Sequence, residues 1–170
     1  MGQTISNGDA VAIFKDAFAT WNDSLHASFV NIEALSAADR HDPEKMIEAA
    51  KPTLDCYAQG ATLWPTVESG FRKTPEGISK YFAHFAAKNP CGVVQGTPDV
   101  ETVYGADGTP KIIVSGEYIF EMNGENGKRV RLPARFEFRL VQENGTWKWY
   151  HHTSNTSPDA QGTLKTTPVA

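Results

Sequence analysis

The sequence predicts an α+β fold, with helices first and then hairpin-linked strands in a mixed, mostly antiparallel sheet. Three observations carry this. In the first half, apolar residues recur three and four apart, the spacing of a helix with one buried face. After Pro90 the spacing changes to two, the period of a half-buried strand. Glycine-rich turns (GADG, NGENG and ENG) punctuate that second half, as hairpins require. Helices grouped before strands must cover one side of an antiparallel sheet.

Three helices are expected. Val11, Phe14, Phe18, Trp21 and Leu25 form the stripe of the first, which Phe29, Ile32 and Leu35 can extend; Ser6 to Asp9 offer its cap. Asp42-Pro43-Glu44 opens the second with a capping side chain, an early proline and an early acid. Met46, Ile47, Ala50, Leu54 and Tyr57 supply its buried side, and Pro52 should kink or restart it. Thr74-Pro75-Glu76 opens the third; Ile78, Tyr81, Phe82 and Phe85 mark its core face, and Asn89-Pro90 stops it.

Between the second and third helices, GATLWPTVESGFRK reads as a short strand, a turn and a return. GVVQG and DVETVY read as one interrupted strand. In Lys111 to Met122 the residues Ile112, Val114, Tyr118 and Phe120 share a face. From Val130 to Val141, Phe136, Phe138 and Leu140 lie opposite Arg135, Glu137 and Arg139. Thr146 to about Ser154 forms the last strand. One domain is expected over residues 1–158, and residues 159–170, without a core pattern, read as a mobile tail.

Composition excludes several function classes. With 170 residues, 40% of them hydrophobic and 21% charged, the chain suits one globular core. Net charge is −4, and the only basic run is Lys128-Arg129-Val130-Arg131, which argues against nucleic acid as a partner. No apolar run approaches a membrane span and no signal peptide is visible, so a cytoplasmic location is expected. MGQTIS fits a myristoylation pattern at Gly2 with Ser6, but the second signal that stable anchoring needs is absent. Cys56 and Cys91 form no paired motif, so neither a disulfide framework nor a metal site is expected. Asn22, Asn144 and Asn155 begin glycosylation sequons that read as chance matches.

Several stretches resemble one family in order: WNDSL from Trp21, ATLWPT from Ala61 with Arg72 after it, GISKYFAHF from Gly77, GEYIF from Gly116, ARFEF from Ala134 and GTWKWYHHTS from Gly145. Together they resemble the nuclear-transport-factor-2-like superfamily, also called the cystatin-like cone. Within it they resemble the association domain of calcium/calmodulin-dependent protein kinase II and its free-standing bacterial SgcJ/EcaC and SnoaL-like relatives. The resemblance spans roughly Trp21 to Pro158. It implies a strongly curved sheet around a long helix, a cone-shaped pocket, and pairing through the outer sheet face into a dimer or larger ring. Two departures stand out. The region His26 to Lys51 is longer than in typical relatives. Where the bacterial relatives often carry three histidines in a row, this chain has His151-His152-Thr153.

The histidine pair is the first candidate for chemistry. Neighbours on a regular strand point to opposite faces, so His151 and His152 cannot share a metal ion. One should face the cone and one the outer side. A pocket histidine can move a proton near neutral pH, whereas a structural one is held by local hydrogen bonds. Arg135 and Arg139 would grip a carboxylate if their face lined the cone; on a solvated face they would only pair with Glu137. Arg72, after LWPT, belongs to the pocket rim. The expected ligand-binding set is Arg72, Trp64, Tyr81, Tyr118, Arg135 and His151, with His151 and His152 as catalytic candidates. Trp147 and Trp149 fit pocket wall, core or interface equally. Glu117, Glu121 and Glu137 match no catalytic motif, and no cofactor signature is present.

Two functions remain. One is a homo-oligomeric module whose cone takes a small anionic or amphipathic molecule. The other is a small lyase, cyclase or isomerase in which a pocket histidine is the general acid or base and Arg72 holds an anionic group.

Overall fold

The computed structural model describes residues 4–157 and 167–168. The first helix, α1 (Asn7–Glu33), is capped by Ser6, whose hydroxyl accepts from the Asp9 amide at 3.1 Å. Ser6 thus has a capping role, while Gly2, the other half of the myristoylation pattern, lies outside the described residues. The predicted stripe is buried: Phe14, Phe18, Trp21, Leu25 and Ile32 all face inward.

The expected second helix is two pieces, and its far end is a strand. After a short 3-10 turn (Asp39–His41), α2 (Pro43–Ala49) starts on its Asp42 cap, and α3 (Lys51–Leu54) restarts at Pro52 as the proline requires. Tyr57, expected on that helix, opens strand β1 (Tyr57–Trp64) instead, because it pairs with Trp149 across a sequence separation that local spacing cannot register. The helix α4 (Pro75–Ala86) follows on its Thr74 cap.

The remaining strands are β2 (Cys91–Tyr104), β3 (Pro110–Asn123), β4 (Arg129–Glu143), β5 (Thr146–Thr156) and β6 (Thr167–Pro168). The sheet runs β1-β5-β4-β3-β2, with β6 beside β4. The neighbours β1 and β5 are parallel and the other pairs antiparallel, so the sheet is mixed as expected. Of the expected mobile tail, all but Thr167–Pro168 lies outside the described residues; that segment pairs with Val130 and Arg131. Register shifts occur between Tyr57 and Thr62, Gln95 and Asp99, and Arg139 and Leu140. Such bulges bend the sheet, and Gly60, at φ 74°, supplies the left-handed backbone that the first one needs.

The helices cover one sheet face, and two polar ties fix how α1 lies. Asn22 donates to the Gly92 carbonyl and accepts from the Gly92 amide, both at 2.9 Å. Gly92 must stay small, since a Cβ there would stand 3.1 Å from Phe18 Cζ and 3.3 Å from Phe120 Cε1. Deeper in, Ser28 and Thr53 share a hydrogen bond at 2.8 Å, and Thr53 donates to the Ser24 carbonyl at 3.1 Å. Replacing Asn22 with alanine leaves two backbone groups without their partner. The expected loss is about 1–3 kcal/mol, measurable as a lower denaturant midpoint with an unchanged slope.

Candidate functional site

The sheet separates the candidate residues into two groups. On its inner face lie Tyr57, Tyr118, Phe136, Phe138, Trp149, His152 and Ser154, all buried. On its outer face lie Trp64, Arg135, Glu137, Arg139, His151 and Thr153, as their pairing positions alternate with the buried ones. The six residues expected to bind one ligand are therefore not brought together. Tyr118 is inside the sheet, Tyr81 faces the core from α4, and Trp64, Arg135 and His151 face outward. Arg72 sits at the edge, bridged to Leu63 through its backbone. Its guanidinium is occupied by Glu68 at 3.0 Å and the Gly70 carbonyl at 3.1 Å.

The histidine pair splits as strand alternation predicts, and a bulge decides which way. Leu140 pairs with Trp149 and Arg139 with His151, so Tyr150 is the extra residue. Unbroken alternation from the buried Trp149 would turn His151 inward. The bulge turns His152 inward instead, at 3% exposure. Its Nδ1 shares a 2.7 Å hydrogen bond with the Tyr57 hydroxyl, and its rings' neighbours are Trp21, Tyr57 and Phe138. Its Nε2 is buried without a hydrogen-bond partner. Burial pushes its pKa down to about 3, and the neighbouring His151 adds to the shift. The Tyr57 hydroxyl is pushed well up, also by burial. This pair holds its protons fixed near neutral pH.

His151 is half-buried, with both nitrogens engaged. Thr62 Oγ1 lies 2.6 Å from Nδ1 and Thr153 Oγ1 2.7 Å from Nε2. Partial burial lowers its pKa, and Arg139 lowers it further against Glu137. Beside it the exposed Trp64 stacks on Phe71 at 4.9 Å, and Lys73 lies over Phe71. Arg139 is bound to Glu137 at 2.8 Å, so the charge-pair alternative describes this face.

A third polar group closes the interior. Thr66 donates to Ser154 at 2.5 Å, and Ser154 also bonds the Tyr118 hydroxyl. Burial raises the pKa of both Tyr118 and Tyr81. Phe14, Phe18, Phe136, Phe138 and Trp149 fill the space beneath α1, with ring centroids 4.4–6.4 Å apart among the neighbouring pairs. Tyr57, Thr62, Thr66 and Ser154 are partners that the candidate set drawn from the sequence does not contain. Alternation on β5 was the available signal for Ser154, but the parallel β1–β5 register that brings Tyr57 and Thr62 to the histidines has no local signature. No group of three or more His, Cys, Asp or Glu side chains suited to a metal occurs among the described residues. Nor does any described helix have the length and apolarity to cross a membrane.

The buried His152 makes stability depend on pH. Its folded pKa, about 3, is below the ordinary 6.5, so the unfolded chain binds the proton first. The stability is fully present above pH 6.5 and is lost as pH falls from there toward 3. A melting-temperature series from pH 7 to 4 should show a steeper decline for the wild type than for His152→Gln. Parallel curves would remove His152 as the cause.

No protein-family profile matches the chain, and no curated protein does. Solved structures do. A structure named for a calcium/calmodulin-dependent protein kinase II association domain, from Xanthomonas campestris, is 27% identical, with 91% of each chain covered and a TM-score of 0.66. A Nostoc punctiforme protein of unknown function with a cystatin-like fold is 15% identical over 92% of this chain and 97% of that one, with a TM-score of 0.56. The epoxide hydrolase/cyclase-like enzyme SalBIII is 15% identical over 95% of this chain and all of that one, with a TM-score of 0.51. The chain has the cystatin-like fold of the nuclear-transport-factor-2-like superfamily, and within it resembles both association-domain-like proteins and cyclase-like enzymes.

Proposed function

We propose that this chain is a homo-oligomeric association module that assembles through the outer face of its sheet. The observation that carries the reading is the distribution of exposed apolar side chains. Of the five exposed large apolar side chains among the described residues, three, Trp64, Val93 and Tyr150, at 48%, 50% and 41% exposure, lie on the outer face, where Ile113, Ile119 and Val141 are half-buried. Arg131–Glu121 and Arg139–Glu137 pairs run between them. Apolar anchors among charged pairs are what a two-fold interface of ~1,600 Å² requires. The likeness to an association-domain structure supports the same reading. Capture of a ligand inside the cone is a weaker part of it, because the packed rings and the Thr66–Ser154–Tyr118 contact would have to open first.

A second reading, a small lyase, cyclase or isomerase, draws on the Tyr57–His152 pair and the likeness in fold to SalBIII. Its difficulty is physical. A general base works best with a pKa near the working pH and needs reach to its substrate, whereas His152 is sealed and held neutral by burial.

Light scattering at micromolar concentration should give at least a dimer, and a monomer there would sink the proposal. Ile119→Arg, which adds a charge on the outer face beside the exposed Val93, should yield a folded monomer with unchanged near-ultraviolet circular dichroism.

A further inference from the structure

We propose that the groove between α2 and α4 is a binding site for a small amphipathic carboxylate. The groove has a volume of about 310 Å³, at the lower end of the ~300–1,000 Å³ of small-molecule sites. Its floor is apolar, made by Pro43, Met46 and Ile47 of α2 and the buried Ala83 of α4. Its rim carries Arg40 and His41 on one side and Lys80 and His84 on the other. No carboxylate is among the described residues that line it.

The rim is held in place. Arg40 donates to the Glu33 carbonyl at 2.6 Å and to the Leu35 carbonyl at 3.3 Å, which ties the 3-10 turn to the end of α1. The turn is pinned by Ser36, which donates to Asp39 Oδ2 at 2.8 Å and accepts from the Asp39 amide at 3.1 Å. The Arg40 and Lys80 cations have acidic neighbours outside the groove, Glu33 beside Arg40 and Glu76 beside Lys80, and Glu68 lies 3.8 Å from the His84 ring. Those contacts leave N–H donors unused on the guanidinium and the ammonium, which accept nothing and can only donate. A ligand that supplies a carboxylate to this rim and an alkyl chain to Met46, Ile47 and Ala83 satisfies both parts of the site. A neutral or cationic amphiphile satisfies only the floor.

This site is independent of assembly, since the helical layer lies on the opposite side of the sheet from the proposed interface. The test is a nuclear-magnetic-resonance titration of the whole chain with sodium octanoate, octan-1-ol and octylammonium at physiological salt. Octanoate should give saturable shifts at the Met46 methyl and the His41 and His84 rings, with at least about tenfold higher affinity than the other two. Lys80→Gln combined with His84→Gln should lower octanoate affinity about tenfold or more and leave octan-1-ol unchanged; both side chains are exposed, so the melting temperature should hold. Absence of saturation, equal affinities for the three probes, or an octanoate affinity unaffected by the double substitution would each overturn the proposal.

Discussion

Burial of Trp21 between α1 and the sheet is the contact on which the rest of the structure depends. Its ring meets Phe82 of α4, Phe120 of β3, Phe138 of β4, and Trp149 and His152 of β5. One side chain thus sets the height of the long helix above three strands and the position of the helix beside it. An aromatic ring of this size contributes much of the burial energy of a small core. Asn22, next in sequence, fixes the rotation of α1 by its paired bonds to Gly92. Packing and hydrogen bonding therefore act at adjacent residues.

The consequence is a sheet whose two faces do different work. The inner face is committed to rings that pack against α1, and the polar atoms that do find partners there find them locally, His152 Nδ1 in Tyr57 and Ser154 in Thr66 and Tyr118, while His152 Nε2 has none. Among the described residues no helix covers the outer face, and its aromatic and aliphatic side chains stay partly exposed between ion pairs. Exposed pairs of this kind add little to the stability of one chain, but they can set register and specificity when a second copy covers them. The same low-dielectric surroundings that pack the core disfavour the charged imidazole of His152.

The helical layer adds a different kind of surface. The 3-10 turn and α2 occupy the region that departs from the resemblance, and they stand over α4 with an apolar floor and a cationic rim between them. Because Arg40 spends its main donors on the carbonyls at the end of α1, the rim is part of the fold as well as a candidate site.

Much of this was legible in the sequence because it follows local rules. The caps Ser6, Asp42 and Thr74, the buried stripe of α1, the alternation of β3 and β4 and the turns between them need only periodicity and turn chemistry. The separation of His151 from His152 needs only the pleat of a strand. Tyr57 has the spacing from Leu54 that suits a helix, while the partner that makes it a strand residue, Trp149, stands far along the chain. The tertiary structure alone decided three things: the parallel pairing of β1 with β5, the extra residue Tyr150 that turns His152 rather than His151 inward, and the scattering of Arg72, Trp64, Tyr81, Tyr118, Arg135 and His151 over both faces and an edge. The physical reason is common to all three. Strand register is set by the packing of distant segments against one another, and a shift of one residue exchanges the faces of every side chain beyond it.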